Sequence, residues 1–202
     1  MKAADEFDRR VGPGSALGAE AGGIAHACAD MAARLHAGGK LVVFGNGAGA
    51  TDAAHVAVEF VHPVIVGKRA LPALSLSNDA AALTGLAERH GLAGIYAAQL
   101  GLVADEGDIA LGICGAGPVE SVLRGLAEAR RLGLLTVALA GRRGRDPGEA
   151  GVAIPADHVL RAESDDPRIV KEIHVTMYHV LWELVHVFLE QPAVLAGRGV
   201  QR

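Results

Sequence analysis

The sequence is poor in aromatic residues, with one Trp, two Tyr and four Phe among 202 residues. The core must therefore be built from Ala, Leu and Val, which favour close packing of helices on a sheet. Cysteine is almost absent. Cys28 and Cys114 lie in unrelated contexts, so neither a disulfide framework nor a paired-thiolate metal site is expected, as suits a reducing compartment. There is no excess of positive charge, and a net charge of −4 gives no electrostatic footprint for nucleic acid. No apolar run is long enough to span a bilayer, and residues 1–10 lack the apolar stretch of a signal peptide. A cytoplasmic protein without membrane or nucleic-acid partners is expected.

Glycine, by contrast, is abundant at 27 residues, too many for a helical bundle and suited to tight strand-to-helix turns. After a polar start and the breaker Gly12-Pro13-Gly14, the spacing of Ile24, Cys28, Met31 and Leu35 predicts a helix over 16–36. The continuous apolar run 40–44 predicts a buried parallel strand, followed by a turn at 45–49 and a helix over 50–60. The unit then repeats. Strands are expected at 74–77, 108–113, 135–140 and 157–161. Helices are expected from a cap at Asn78-Asp79 to Glu88, then over 95–103, 119–132 and 167–190. A basic loop over 141–148 and a tail from Gln191 complete the pattern. Alternation with short connections implies one α/β domain over 1–202, a three-layer sandwich with a central parallel sheet and an α/β core over 40–161. Ligands of such sheets bind beyond the carboxyl ends of the strands, which groups 45–49, 77–79 and 114–119 around one crevice.

Gly45-Asn-Gly-Ala-Gly49, between a strand and a helix, brings backbone N–H groups and a helix N-terminus to one point, a geometry that suits an anion; glycines at any tight turn look the same. His55 and Glu59, four apart, share a helix face and could hold a metal, supply acid and base, or simply be solvated. The C-terminal helix carries Lys171, Glu172, His174, His179, Glu183 and His186 over several faces, with His174 and His179 pointing in different directions.

The segment Gly45-Asn-Gly-Ala-Gly-Ala-Thr-Asp-Ala-Ala-His-Val-Ala-Val-Glu59 resembles the signature G-N-G-G-S-A-A-D-A-x-H-F-A-x-E of the sugar-isomerase (SIS) family, specifically its phosphoheptose isomerases. The segments 71–77, 106–113 and 122–133 are similar to the family's next strand, the strand into its serine loop and the helix after it. Residues 166–179 look like its C-terminal R-I-Q-E-x-H-x-x-x-x-H, so the resemblance spans 40–190 in order. It implies a homotetramer that isomerises an aldose and a ketose phosphate at subunit junctions, or acts on a related phosphorylated or nucleotide-linked sugar. By resemblance, His55, Glu59 and His179 are the metal (zinc) ligands, and Glu59 and His179 the acid–base pair. The substrate is expected at Asn46, Gly47, Ala48, Gly49, Ser77, Asn78, Asp79, Cys114, Gly115, Ala116, Gly117, Val119 and Lys171.

The chain departs from the family pattern at four places. Gly49 replaces a serine, Pro63 replaces an arginine, and Cys114-Gly-Ala-Gly-Pro-Val119 replaces the phosphate loop S-T-S-G-N-S. Hydroxyls that could donate to phosphate are thereby lost. Lys171 stands where the family has a metal-binding glutamine. A protonated lysine has no lone pair, so its ammonium is expected beside Glu59 in the metal's place; the alternative leaves Lys171 in solvent and the zinc site intact. These losses keep open a second function, a non-catalytic tetramer serving as a sugar sensor or protein scaffold.

Overall fold

The computed structural model describes residues 3–117, 119–142 and 153–191. Pro118, the basic loop beyond Arg142 and the tail after Gln191 lie outside the described residues. Five strands form one parallel sheet in the order β2-β1-β3-β4-β5. They are β1 Leu41–Gly45, β2 Ala73–Ser75, β3 Ile109–Gly115, β4 Leu135–Gly141 and β5 His158–Ala162. All of β1 and β4 and nearly all of β3 are buried, which explains why they read as unbroken apolar runs. Successive residues of β1 face opposite layers. Leu41 and Val43 join one core, Val42 and Phe44 the other.

The first core is covered by α2 (Ala21–His36), α3 (Ala48–Val61) and α7 (Pro167–Leu189), the second by α5 (Ile95–Val103) and α6 (Glu120–Arg131) with α4 (Ala80–His90). These elements fall within a few residues of the sequence expectation, and Asp79 caps α4 by accepting from the Ala81 and Ala82 N–H groups at 2.9 Å. The chain passes from β1 outward to β2 and back across to β3. The strand order therefore reverses between β1 and β3, and the crevice outside their carboxyl ends is the ligand position in folds of this kind.

The N-terminus differs from expectation. A further helix, α1 (Ala3–Ala19), precedes α2 and runs through Pro13. None of its residues is buried. It is tied to α7 by ion pairs, Arg9 to Asp166 at 2.7 Å and Arg10 to Glu172 at 2.7 Å. Those distant partners hold a helix whose local sequence argues for a break.

Two large apolar side chains of α7, Trp182 and Phe188, find their cover within the chain. Helices α2 and α7 pack on each other within the chain. Trp182 is only 6% exposed, and Phe188 packs against the same core. The exposed large apolar side chains lie elsewhere and include Phe7 and Val11 on α1, Val58 and Val61 at the end of α3, Val64 to Val66 just beyond it, and Leu92, Leu102 and Val103. No described helix is long and apolar enough to cross a membrane.

Candidate active site

Two glycines set the mouth of the crevice. A Cβ on Gly45 would lie 2.8 Å from the Gly49 carbonyl oxygen, and one on Gly49 would lie 3.2 Å from that of Ile113. The start of α3 thus rests on the ends of β1 and β3, and the missing serine hydroxyl at Gly49 accompanies this close approach. Gly47 turns into α3 with φ +54°, and Gly115 turns out of β3 with φ +63°, a left-handed conformation that side-chain-bearing residues rarely adopt.

Around the turn lies a closed polar network. The Tyr96 hydroxyl is 2.5 Å from the Gly45 carbonyl oxygen and 2.8 Å from Asn46 Oδ1. The Asn46 amide donates to Ser121 Oγ at 2.6 Å, and Ser77 Oγ donates to the Gly45 carbonyl at 2.9 Å. Burial raises the Tyr96 phenol, so it stays protonated as a donor. Asn46 and Ser77, both expected at the substrate, are held by these bonds. Asp79 is the α4 cap, and Asn78 beside it is exposed.

A cavity of about 150 Å³ opens next to the network. Of the expected substrate residues, Asn46, Ala48, Gly49, Cys114, Gly115, Ala116, Val119 and Lys171 line it, and Gly47, Gly117, Ser77, Asn78 and Asp79 do not. The Cys114 thiol is buried and pushed up to about 12, which keeps it protonated and leaves only a weak donor. Sequence reasoning passed over two titratable lining residues, Asp52 and His174. Asp52 lay inside the quoted signature. Between His174 and His179 the spacing leaves the choice open, and the family resemblance selects His179 alone.

Lys171 is neither beside Glu59 nor without a partner in solvent. Its ammonium reaches across to α3 and bonds Asp52 Oδ1 at 2.5 Å, with the Ala48 carbonyl oxygen and Thr51 Oγ1 each at 3.3 Å. Asp52 is one helical turn before His55. The lysine therefore neutralises a carboxylate that is only 5% exposed and makes no contact with Glu59.

Glu59 has two imidazoles instead. His55 Nε2 lies 3.1 Å and His179 Nε2 3.0 Å from the same oxygen, Glu59 Oε1. The three donor atoms lie within 4.8 Å of one another, as a metal site requires. The seam between α3 and α7 is fixed from beneath, where the Trp182 indole N–H donates to the Glu59 carbonyl oxygen at 3.0 Å. The Tyr178 hydroxyl is 2.9 Å from His55 Nδ1. Burial pushes the Tyr178 phenol up, and the carboxylates of Asp52 and Glu59 push the same way, so it remains a hydroxyl. A hydroxyl can donate to a bare Nδ1 or accept from a protonated one, so His55 can present either tautomer at Nε2. Two imidazoles and a carboxylate with solvent on one side are a donor set that fits a zinc ion with an open position.

The SIS domain profile matches residues 15–141, and the chain belongs to the SIS domain family. Within it the sequence is similar to phosphoheptose isomerases. It is 38% identical over 155 residues to that of Aquifex aeolicus, covering 77% of this chain and 78% of that one. With that of Thermodesulfovibrio yellowstonii the identity is 34% over 164 residues, covering 81% and 79%. A solved phosphoheptose isomerase from Francisella tularensis aligns with a TM-score of 0.77 at 27% identity, over 92% of this chain and 98% of that one. Another, from Neisseria gonorrhoeae, has a TM-score of 0.79 at 23% identity over 90% and 95%, and shares the fold.

Proposed function

We propose that the protein is a sugar-phosphate aldose–ketose isomerase whose substrate is sedoheptulose 7-phosphate or a closely related sugar phosphate. The observation that carries this reading is Glu59, set between two half-exposed imidazoles on the seam of α3 and α7. Isomerisation moves one proton between neighbouring carbons and another between their oxygens, through an enediol. Glu59 takes the proton from the carbon beside the carbonyl and returns it to its neighbour. His179 moves the proton between the oxygens, a task suited to an imidazole near neutral pH. His55, Glu59 and His179 would hold zinc, which when bound polarises the substrate carbonyl. The same reading takes the whole chain as one SIS domain assembled as a homotetramer, with the apolar side chains of α1 and the end of α3 available for contacts between copies.

The loop after β3 favours a second reading. Gly115, Ala116 and Val119 offer no hydroxyl to a phosphate, which suits a sugar-sensing or scaffold protein without turnover. Steady-state kinetics with sedoheptulose 7-phosphate, with and without a chelator, separate the two. Turnover weaker than in a serine-loop relative and lower after chelation supports the isomerase; no turnover with an intact Glu59–His179 pair supports the scaffold. Restoring hydroxyls by Ala116→Ser with Val119→Ser is expected to raise turnover. Gly115 is left alone, because a β-branched residue at its positive φ would strain the turn.

A further inference from the structure

Tyr178 reaches from the core to the solvent-facing group of His55, Glu59 and His179. The family pattern that residues 166–179 resemble leaves its position open. The side chain is buried and belongs to the core that α2, α3 and α7 cover. Its ring meets both imidazoles edge to face, His55 at a centroid distance of 5.3 Å and His179 at 4.9 Å. Both imidazoles are half-exposed, so their rings depend on such contacts for orientation. Among the described residues the Tyr178 hydroxyl, at 2.9 Å, is the one hydrogen-bond partner of His55 Nδ1.

What Tyr178 does at Nδ1 depends on what faces Nε2. Glu59 Oε1 lies 3.1 Å from His55 Nε2 and carries lone pairs only. A bare nitrogen at that distance would repel it, so without a metal ion the hydrogen of a neutral His55 belongs on Nε2. Nδ1 is then bare, and the Tyr178 hydroxyl donates to it. To ligate a cation, Nε2 gives its hydrogen to solvent and Nδ1 takes one up, and the same hydroxyl then accepts. A carboxylate or carbonyl, the common partners of a ligating histidine, could only accept. Either would hold the hydrogen on Nδ1 in both states and leave a bare Nε2 against Glu59 in the metal-free site. We propose that Tyr178 is a positioning residue whose hydroxyl keeps the His55 ring in one orientation and reverses from donor to acceptor as a divalent cation enters. The group of His55, Glu59 and His179 can then be emptied and refilled without the ring turning. The inference rests on the reading of that group as metal-binding and adds the residue that adapts it.

The test uses full-length protein stripped of metal, with zinc ion as the probe, in the wild type, Tyr178→Phe and His55→Gln. NMR of 15N-histidine-labelled protein reports which ring nitrogen carries the hydrogen, and the His55→Gln spectrum identifies the His55 signals. The wild type is expected to carry the His55 hydrogen on Nε2 without zinc and on Nδ1 with it. Tyr178→Phe keeps the ring and removes the hydroxyl. In competition with a chromophoric chelator it is expected to hold zinc at least about tenfold more weakly than the wild type. A merely structural role would lower the thermal midpoint of Tyr178→Phe and leave its zinc affinity unchanged, which overturns the proposal. A wild type with the hydrogen on Nδ1 before zinc is added overturns it as well, whether or not the variant folds. Turnover of sedoheptulose 7-phosphate alongside either result leaves the isomerase reading standing. No zinc binding by the wild type, or equal binding by His55→Gln, removes the metal reading and this inference together.

Discussion

Two polar clusters, one at the carboxyl end of β1 and one on the seam between α3 and α7, differ in how their hydrogen bonds are used. Around the β1–α3 turn, Tyr96, Asn46, Ser77 and Ser121 bond one another and the Gly45 backbone within a mostly buried network. On the α3–α7 seam, His55 and His179 are each 45% exposed at the side chain and converge on a single oxygen of Glu59. The first cluster has its bonds made and fixes the backbone. The second keeps groups that can exchange protons or ligands facing solvent. Residues of one sequence signature thus divide into those that fix the backbone and those that can exchange protons or ligands, and the division follows from their bonding rather than their residue type.

The sharpest way to break this comparison is to remove one working group. Glu59→Gln keeps the shape but not the base, and turnover of sedoheptulose 7-phosphate is expected to fall at least about 100-fold. Its thermal midpoint should stay close to that of the wild type, because the Trp182 bond is to the Glu59 backbone. Tyr96→Phe should behave in the opposite way. Loss of its hydroxyl removes the one hydrogen shared by the Gly45 carbonyl and Asn46 Oδ1 and leaves the Gly45 carbonyl to Ser77, at a cost of about 1–3 kcal/mol in urea unfolding. A Glu59→Gln protein with undiminished turnover, or a Tyr96→Phe protein of unchanged stability, would erase the distinction.

Much of the fold was legible because the signals are local. Glycine-bounded apolar runs marked β1, β3 and β4, and Asp79 marked the start of α4. Helix α1 was not legible. The contacts that hold it, Arg9 to Asp166 and Arg10 to Glu172, join residues more than 150 positions apart, and the local signal from Pro13 points the wrong way. The site divides similarly. The spacing of His55 and Glu59 put them on one face, but adding His179 required the family resemblance, because only the packing of α7 on α3 brings it to Glu59. The partner of Lys171 and the burial of His174 depend on that same packing and left no trace in spacing.

Lys171 offers a smaller test. Lys171→Gln removes a charge from beside Asp52, which stays buried, and is expected to cost about 1–2 kcal/mol. Because the ammonium bonds Asp52 and not Glu59, zinc retention measured on the purified proteins should be unchanged. A clear gain of zinc would mean that Lys171 can swing into the His55–Glu59–His179 group and would revive the idea that it displaces the metal.

The smallest effect expected is a difference in slope. Burial lowers the His174 pKa, with the Ala140 hydrogen bond and Asp52 opposing the shift and Lys171 adding to it. The unfolded chain therefore takes up a proton as pH falls through about 6.5, while the folded protein resists until lower pH. With more protons bound in the unfolded state, stability falls as pH falls across that window and flattens once the folded imidazole is also protonated. One proton accounts for a slope of at most about 1.4 kcal/mol per pH unit. Other groups contribute their own slopes, Asp166 among them. Its carboxyl is held well below the ordinary range by its hydrogen bond to Arg168, so it loses stability as pH falls at the acid end. The comparison is therefore between proteins: His174→Gln should lose less stability than the wild type between pH 7 and pH 5 in urea unfolding. Parallel curves would mean that the folded imidazole takes up its proton like the unfolded one, with water or a counter-charge reaching Nε2.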